Sequence, residues 1–166
     1  MKIITFNQIE GNVKMILKCD SSLLVNRKPF FIPEWSNDIQ LTPCVVLRVS
    51  RMGKYVGLRF ARRYYDAVAM GMNLFAADYA KQNDWTRAFA FDGSLPMGGW
   101  IEVEENPYSD LVINMDAAIV EASKIMTIRQ GDLIVINRNI LPRSVVKEEI
   151  ITLQQADKEL LYCKIK

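Results

Sequence analysis

The sequence contains no histidine among its 166 residues. Histidine is the commonest general base near neutral pH and the commonest ligand of transition metals. Its absence excludes every Ser–His and Cys–His nucleophile. Catalysis by this chain would therefore depend on carboxylate, lysine, tyrosine or cysteine side chains.

Cysteine is also scarce, with Cys19, Cys44 and Cys163 scattered along the chain. No two of them form a CxxC pair, which excludes a zinc knuckle. An odd, scattered set of cysteines favours a reducing compartment over a disulfide framework. We therefore expect a cytoplasmic protein.

Long apolar runs and an excess of one charge are missing as well. The N-terminal apolar run is too short for a secretion signal, and no window approaches the roughly 18 apolar residues of a membrane span. The net charge is +2, and the arginines at 48–63 lie among apolar residues rather than in a basic stripe. We expect neither a membrane nor a nucleic acid as a partner.

The length and the apolar half of the composition predict a single globular domain over residues 1–166. The hydrophobic pattern predicts more strands than helices. Predicted strands lie at 1–6, 28–33, 44–50, 55–60, 70–78, 100–105, 110–116, 130–138 and, as a hairpin, 144–153 with 159–166. Predicted helices lie at 12–18, within 60–70, and at 117–126. This favours an α+β, mainly β architecture over a doubly wound sheet.

Several segments, in this order, resemble the fumarylacetoacetate hydrolase family. They read FFIPEWSNDIQL, MGKYV, FARRYYDAVAMGMNLFAAD, AFDGSLPMGGW and QGDLI, and the likeness spans roughly residues 28–136. The resemblance implies a mixed β-roll, usually a homodimer. It also implies a bound Mg²⁺ or Mn²⁺ ion and hydrolysis, isomerisation or decarboxylation of a keto- or enol-acid.

The family's metal ligands are two glutamates in an E-x-E pattern and an aspartate on a later strand. Side chains at i and i+2 of a strand share a face, so two carboxylates can converge on one hard cation. The resemblance aligns these ligands with Thr42, Cys44 and Asn73. A hydroxyl, a thiol and an amide cannot offset the dehydration of Mg²⁺, and one thiol without histidine makes a poor tetrahedral site. We expect no metal cofactor.

Other pocket positions implied by the resemblance are altered too. The family's substrate-binding arginine aligns with Ala77 and its pocket lysine with Phe89, while Asp78 keeps its type. Asn137 begins the segment that stands where the family has a G-T-P loop. The family's N-terminal lid, which carries a His-Glu pair in many members, aligns with residues 7–17 and has no histidine.

The glycine-rich loop at 90–100 contains Asp92, Gly93 and Ser94. In the family this loop is a wall of the substrate pocket, where backbone approaches a ligand closely. The residues alone equally allow a packed turn beneath Trp85 and Trp100. Asp78 and Asp92 are interpreted as turn and cap residues that accept backbone N–H groups.

Three functions remain open from the sequence. The first is a non-catalytic protein, a pseudoenzyme, that acts in binding or assembly as a homodimer or beside an active relative, with a small carboxylic acid as a candidate ligand. The second is a Mg²⁺- or Mn²⁺-dependent isomerase, hydrolase or decarboxylase of small keto or enol acids, with its pocket at Thr42, Cys44, Asn73 and the 90–100 loop. The third is a small-ligand sensor that retains the cavity without the chemistry.

Overall fold

A curved mixed sheet forms the centre of the structure, a computed structural model that describes residues 1–166. The strands are β1 Ile3–Ile9, β2 Asn12–Lys18, β3 Leu23–Leu24, β4 Ile39–Val49, β5 Tyr65–Ala76, β6 Leu95–Pro96, β7 Leu133–Asn137, β8 Arg143–Ser144, β9 Ile150–Gln155 and β10 Lys158–Lys164. The main sheet has the order β2-β1-β7-β4-β5, with β8 paired to β4. Within it, β1 and β7 run parallel and the other pairs antiparallel.

Helices are few and mostly short. The α-helices are α1 Ala77–Ala80, α2 Trp85–Phe89 and α3 Met115–Ile125, and 3₁₀ turns lie at Asp20–Ser22, Leu58–Tyr64 and Val103–Glu105. The α+β, mainly β prediction is confirmed. None of the helices has both the length and the apolar character needed to span a membrane.

Strand β4 is buried on both sides of the sheet because its sequence is apolar almost throughout. Successive side chains of a strand point to opposite faces of the sheet. Leu41, Val45 and Leu47 therefore pack in the larger core, which also contains residues of α3 and the β9–β10 hairpin. The other face carries Cys44 and Val46, which pack in a smaller core that includes Leu95 and Met97. The candidate site lies on this second face.

The predicted helix at 12–18 is wrong, because these residues form β2. They pair with β1 along its whole length, from Ile3 opposite Lys18 to Ile9 opposite Asn12. Glu10 and Gly11 make the tight turn between them with positive φ angles. The pairing with β1 outweighs the local helical preference of these residues.

The strands predicted at 100–105 and 110–116 are also wrong. Ile101 makes a single bridge to Val68, and Val103–Glu105 then forms a 3₁₀ turn closed by a capping box between Glu102 and Glu105. In the second segment, the Asn114 side chain caps α3, so the chain enters a helix instead of extending.

The predicted strands at 28–33 and 55–60 reduce to isolated contacts or turns. In the segment 28–33, Phe30 makes one bridge to Ile165. The 3₁₀ turn Leu58–Tyr64 replaces the end of the strand predicted at 55–60 and the start of the helix predicted within 60–70. The strand predicted at 70–78 begins earlier, at Tyr65, because β4 offers it a partner over eleven residue pairs.

The predictions for α3, β7 and the C-terminal hairpin are confirmed. Ile119 and Ser123 are among the residues that this helix buries. The predicted strand at 44–50 is part of β4, which begins five residues earlier at Ile39.

Candidate functional site

The register of β4 and β5 brings the three aligned metal positions onto one face. Thr42 lies directly opposite Asn73, and Cys44 lies two residues along β4, opposite Gly71. Cys44 and Asn73 are fully buried, and Thr42 is 4% exposed. The three residues that the resemblance aligns with the metal ligands therefore lie next to one another on one face of the sheet.

Asn73 belongs to a hydrogen-bonded set of amides, here called the asparagine cluster (Asn7, Asn73 and Asn137). The Asn73 Nδ2 donates to Asn7 Oδ1 at 2.7 Å and to Asn137 Oδ1 at 3.0 Å. The Asn137 Nδ2 donates to Asn7 Oδ1 at 3.1 Å. Both N–H groups of Asn73 are thus in use, whereas its Oδ1 is buried without a partner.

Lys18 is buried beside this cluster and joins the two edges of the sheet. Its ammonium donates to the carbonyl oxygen of Leu74 on β5 at 2.8 Å, to that of Phe89 at 2.9 Å and to Ser94 Oγ at 2.8 Å. Strands β2 and β5 are the first and last strands in the order β2-β1-β7-β4-β5. The bonds from Lys18 therefore connect the two ends of the main sheet and hold it in its curled, roll-like form. All three N–H donors of Lys18 are occupied.

Burial lowers the pKa of Lys18 from 10.5 to about 7, an effect that the nearby Cys44 and Cys19 thiols partly oppose. Burial also raises the pKa of the Cys44 thiol from 9.0 to about 12, and the positive charge of Lys18 opposes part of this rise. Cys44 is therefore a protonated thiol at neutral pH. Both shifts have the sign expected for groups held away from water.

We expect the free energy of unfolding to rise between pH 7 and pH 9, by up to about 1.4 kcal/mol per pH unit. Between a folded pKa of about 7 and an unfolded value near 10.5, the unfolded chain binds a proton at Lys18 that the folded chain lacks. Above pH 9 the Cys44 thiol has the opposite effect, because the folded state keeps a proton that the unfolded state releases.

Urea denaturation at several pH values measures this dependence. The Lys18→Met variant keeps a side chain of similar length without the amine and should lose the rise. An equal rise in both proteins would contradict the assignment to Lys18.

The cluster does not fit a Mg²⁺ or Mn²⁺ ion. Its donors are a hydroxyl, a protonated thiol and an amide oxygen, and no group of three or more His, Cys, Asp or Glu side chains that could hold a metal exists in the chain. The Lys18 ammonium interacts with Cys44, so a dication there would also meet a like charge. Hard divalent cations require charged oxygen ligands that this cluster does not supply.

A cavity of about 260 Å³ opens above the cluster. Four of the pocket positions implied by the sequence line it, namely Thr42, Ala77, Phe89 and Asn137. Its walls also include Asn7, Gln40, Phe75 and Trp85. The rings of Phe75 and Phe89, which both line the cavity, stack with centroids 5.3 Å apart and planes 5° apart. Ala77 and Phe89 are the positions that the resemblance aligns with the family's arginine and lysine.

Other predicted pocket positions lie elsewhere. The Asp78 carboxylate accepts from Ser36 Oγ at 2.8 Å and from the Asn37 backbone N–H at 3.1 Å, so it fixes a turn. Asp92 and Gly93 line a different groove. Cys44, Asn73 and the 90–100 loop do not border the cavity around Thr42.

The 90–100 loop is packed against the sheet edge and the hairpin. The Gly98 N–H donates to the Met70 carbonyl, and Met97 bridges to Gly71 on β5. An added Cβ at Gly98 would lie 1.7 Å from the Leu160 carbonyl oxygen on β10. The loop therefore needs glycine for a close approach to protein backbone.

Asn7 and Lys18 are site residues that the sequence does not predict. Asn7 joins the site because β1 pairs in parallel with β7, a long-range contact that no local sequence pattern indicates. Lys18 lies in the segment that the sequence predicts as a helix. In a strand over 12–18, Lys18 shares a face with Lys14 and Ile16, but no local pattern indicates its burial.

Solved structures match nearly the whole chain. One is a 2-hydroxyhepta-2,4-diene-1,7-dioate isomerase from Mycobacterium marinum (TM-score 0.85, 19% identity, covering 99% of this chain and 73% of that chain). Another is a fumarylpyruvate hydrolase from Pseudomonas aeruginosa in complex with Mn²⁺ and pyruvate (TM-score 0.81, 11% identity, 99% and 89%). A third, from Yersinia pestis CO92, is attributed to the fumarylacetoacetate hydrolase family (TM-score 0.83, 18% identity, 99% and 92%).

These likenesses show that the chain has the fold of fumarylacetoacetate hydrolase family proteins, which confirms the fold that the resemblance implied. No protein-family model and no curated protein sequence matches the chain.

Proposed function

We propose that this chain is a fumarylacetoacetate hydrolase-like protein that binds a small molecule without metal-dependent catalysis. One observation carries the proposal: Asn73, which the resemblance aligns with the family's metal-binding aspartate, donates both of its N–H groups to neighbouring amides. The site is thereby filled by neutral amide groups that hydrogen-bond to one another.

The chemistry of the neighbouring groups supports this proposal. A metal-dependent reaction of an oxo-acid needs a Lewis acid to stabilise charge that develops on oxygen. The Cys44 thiol is protonated, and the Lys18 ammonium has no free donor to replace the ion. The retained cavity of about 260 Å³ favours ligand binding over a purely structural role.

The alternative is a metal-dependent isomerase, hydrolase or decarboxylase of small keto or enol acids. The fold shared with a fumarylpyruvate hydrolase that binds Mn²⁺ and pyruvate favours it. In that case Thr42, Cys44 and Asn73 would have to hold the ion, and the donor set is poorly suited to do so.

Thermal unfolding with and without MnCl₂, combined with turnover assays, tests the proposal. We expect no stabilisation by Mn²⁺ and no hydrolysis of fumarylpyruvate or decarboxylation of oxaloacetate. The Pseudomonas aeruginosa fumarylpyruvate hydrolase serves as the positive control under the same conditions. Mn²⁺ at about 100 times its Kd would stabilise a binding protein by about 2.7 kcal/mol, so such a shift together with turnover would refute the proposal.

A further inference from the structure

We propose that the cavity above the asparagine cluster takes an uncharged planar ring that carries an amide, rather than an oxo-acid. This inference rests on the proposed function, because it assumes that no metal ion occupies the cluster. It follows from the free polar groups, the charges and the walls of the cavity.

Several polar groups in the lining of the cavity have no hydrogen-bond partner within the chain. Thr42 is almost completely buried and lines the cavity, and its hydroxyl takes no part in the side-chain hydrogen bonds of the structure. Asn137 uses only one of its two Nδ2–H groups. The Gln40 Nε2 donates to the Asp38 carboxylate, which leaves the Gln40 carbonyl oxygen free to accept. The lining thus offers both donors and an acceptor, all uncharged.

An unsatisfied acceptor lies beneath the cavity. The Oδ1 atom of Asn73 is fully buried and has no partner within the chain. Asn73 lies directly opposite Thr42, so the unsatisfied acceptor and the free hydroxyl belong to one cross-strand pair. Asn73 itself does not border the cavity, so a ligand contacts this pair only through the Thr42 hydroxyl.

The two cationic side chains that line the cavity, Lys81 and Arg138, are each paired with a carboxylate. Arg138 is held by both oxygens of Asp110 at 2.9 Å and 2.8 Å, and Lys81 lies 3.7 Å from Asp38. Lys18 has no donor left. Glu10 also lines the cavity and forms no ion pair, so it disfavours an anionic ligand.

The apolar part of the cavity wall is aromatic. Phe75 and Phe89 stack on each other, and Trp85 lies beside Phe89 with ring centroids 6.4 Å apart. A planar ring packs against aromatic side chains through offset or edge-on contacts. The volume of about 260 Å³ suits a molecule of one ring.

Benzamide and benzoate form a matched pair of probes, because they share size and shape but differ in charge and in N–H donors. Titrations followed by protein NMR shifts measure their affinities. We expect saturable binding of benzamide, with shifts at Asn137 and Phe89, and binding of benzoate at least tenfold weaker. Pyruvate should not compete with benzamide.

The Thr42→Val variant keeps the side-chain shape without the hydroxyl and should weaken benzamide binding about tenfold, the size of one hydrogen bond. Thr42→Ser restores the hydroxyl and should bind benzamide as the wild type does. Equal affinity of Thr42→Val and wild type would overturn the assigned contact.

The outcomes separate this inference from the proposed function. Absence of saturable benzamide binding, without metal binding or turnover, overturns the ligand class alone. Benzoate or pyruvate binding as tight as benzamide binding in the absence of metal also overturns it. Pyruvate binding that requires Mn²⁺ overturns both the ligand class and the proposed function.

Discussion

Replacing Gly98 with alanine is expected to destabilise the protein by about 4 kcal/mol or more, the size of an exceptional single substitution. The new Cβ would lie 1.7 Å from the carbonyl oxygen of Leu160 and 2.7 Å from its carbon. Both are backbone atoms of β10, so no side-chain rotation relieves the clash. The loop and the hairpin would have to separate, and this would expose the part of the larger core that contains Leu160 and Leu161.

Gly99→Ala is the matched control, because a Cβ at this neighbouring residue would meet no atom within 4 Å. Its free energy of unfolding should stay within about 0.5 kcal/mol of the wild type. Thermal unfolding of both variants measures the contrast, and the Gly98→Ala midpoint should fall by roughly 8 to 16 °C. Equal midpoints for the two variants would show that the loop does not pack against β10 as described.

The Asn73→Asp variant is expected to lose about 3 to 5 kcal/mol of stability at neutral pH, although it introduces the residue type that the resemblance implies for a metal ligand at this position. The carboxylate would be fully buried and would face the Oδ1 atoms of Asn7 and Asn137, to which the Asn73 amide now donates. Burial should raise the pKa of the new carboxyl, so the folded state would hold a proton that the unfolded state releases. The loss should therefore grow as the pH rises above about 4.

Asn139→Asp makes the same chemical change at an exposed position and should alter stability by no more than about 0.5 kcal/mol. Urea denaturation at pH 5 and pH 8 compares the two variants. Mn²⁺ should not restore the stability of Asn73→Asp, because Thr42 and Cys44 still lack charge. A stable Asn73→Asp protein, or one that Mn²⁺ rescues, would contradict the assigned hydrogen-bond network.

The fold class could be predicted from the sequence because its strongest signals are local. The β-branched run around Val45 and Val46 and the amphipathic pattern of α3 each fix an element without knowledge of distant contacts. Residues 12–18 could not be assigned in this way, because their strand exists through pairing with β1. In the segment 100–105, apolar and polar residues alternate as in a strand. Only Ile101 pairs with another strand, through a single bridge to Val68, so no strand forms.

The candidate site could be predicted in part. Thr42, Cys44 and Asn73 are brought together by two adjacent antiparallel strands, which the aligned motif anticipates. Asn7 and Lys18 come from the N-terminal hairpin, and only the curling of the sheet brings them to the same face. The glycine-rich loop had two open interpretations, and the backbone contact at Gly98 supports the packed turn.

The most direct measurement is a crystal of the wild-type protein soaked in manganese chloride, with anomalous data collected at the manganese edge. We expect no anomalous peak beside Thr42, Cys44 and Asn73, with the Asn73 amide still bonded to Asn7 and Asn137. A manganese ion coordinated by the side chains of Thr42, Cys44 and Asn73 would contradict the proposed loss of the metal site.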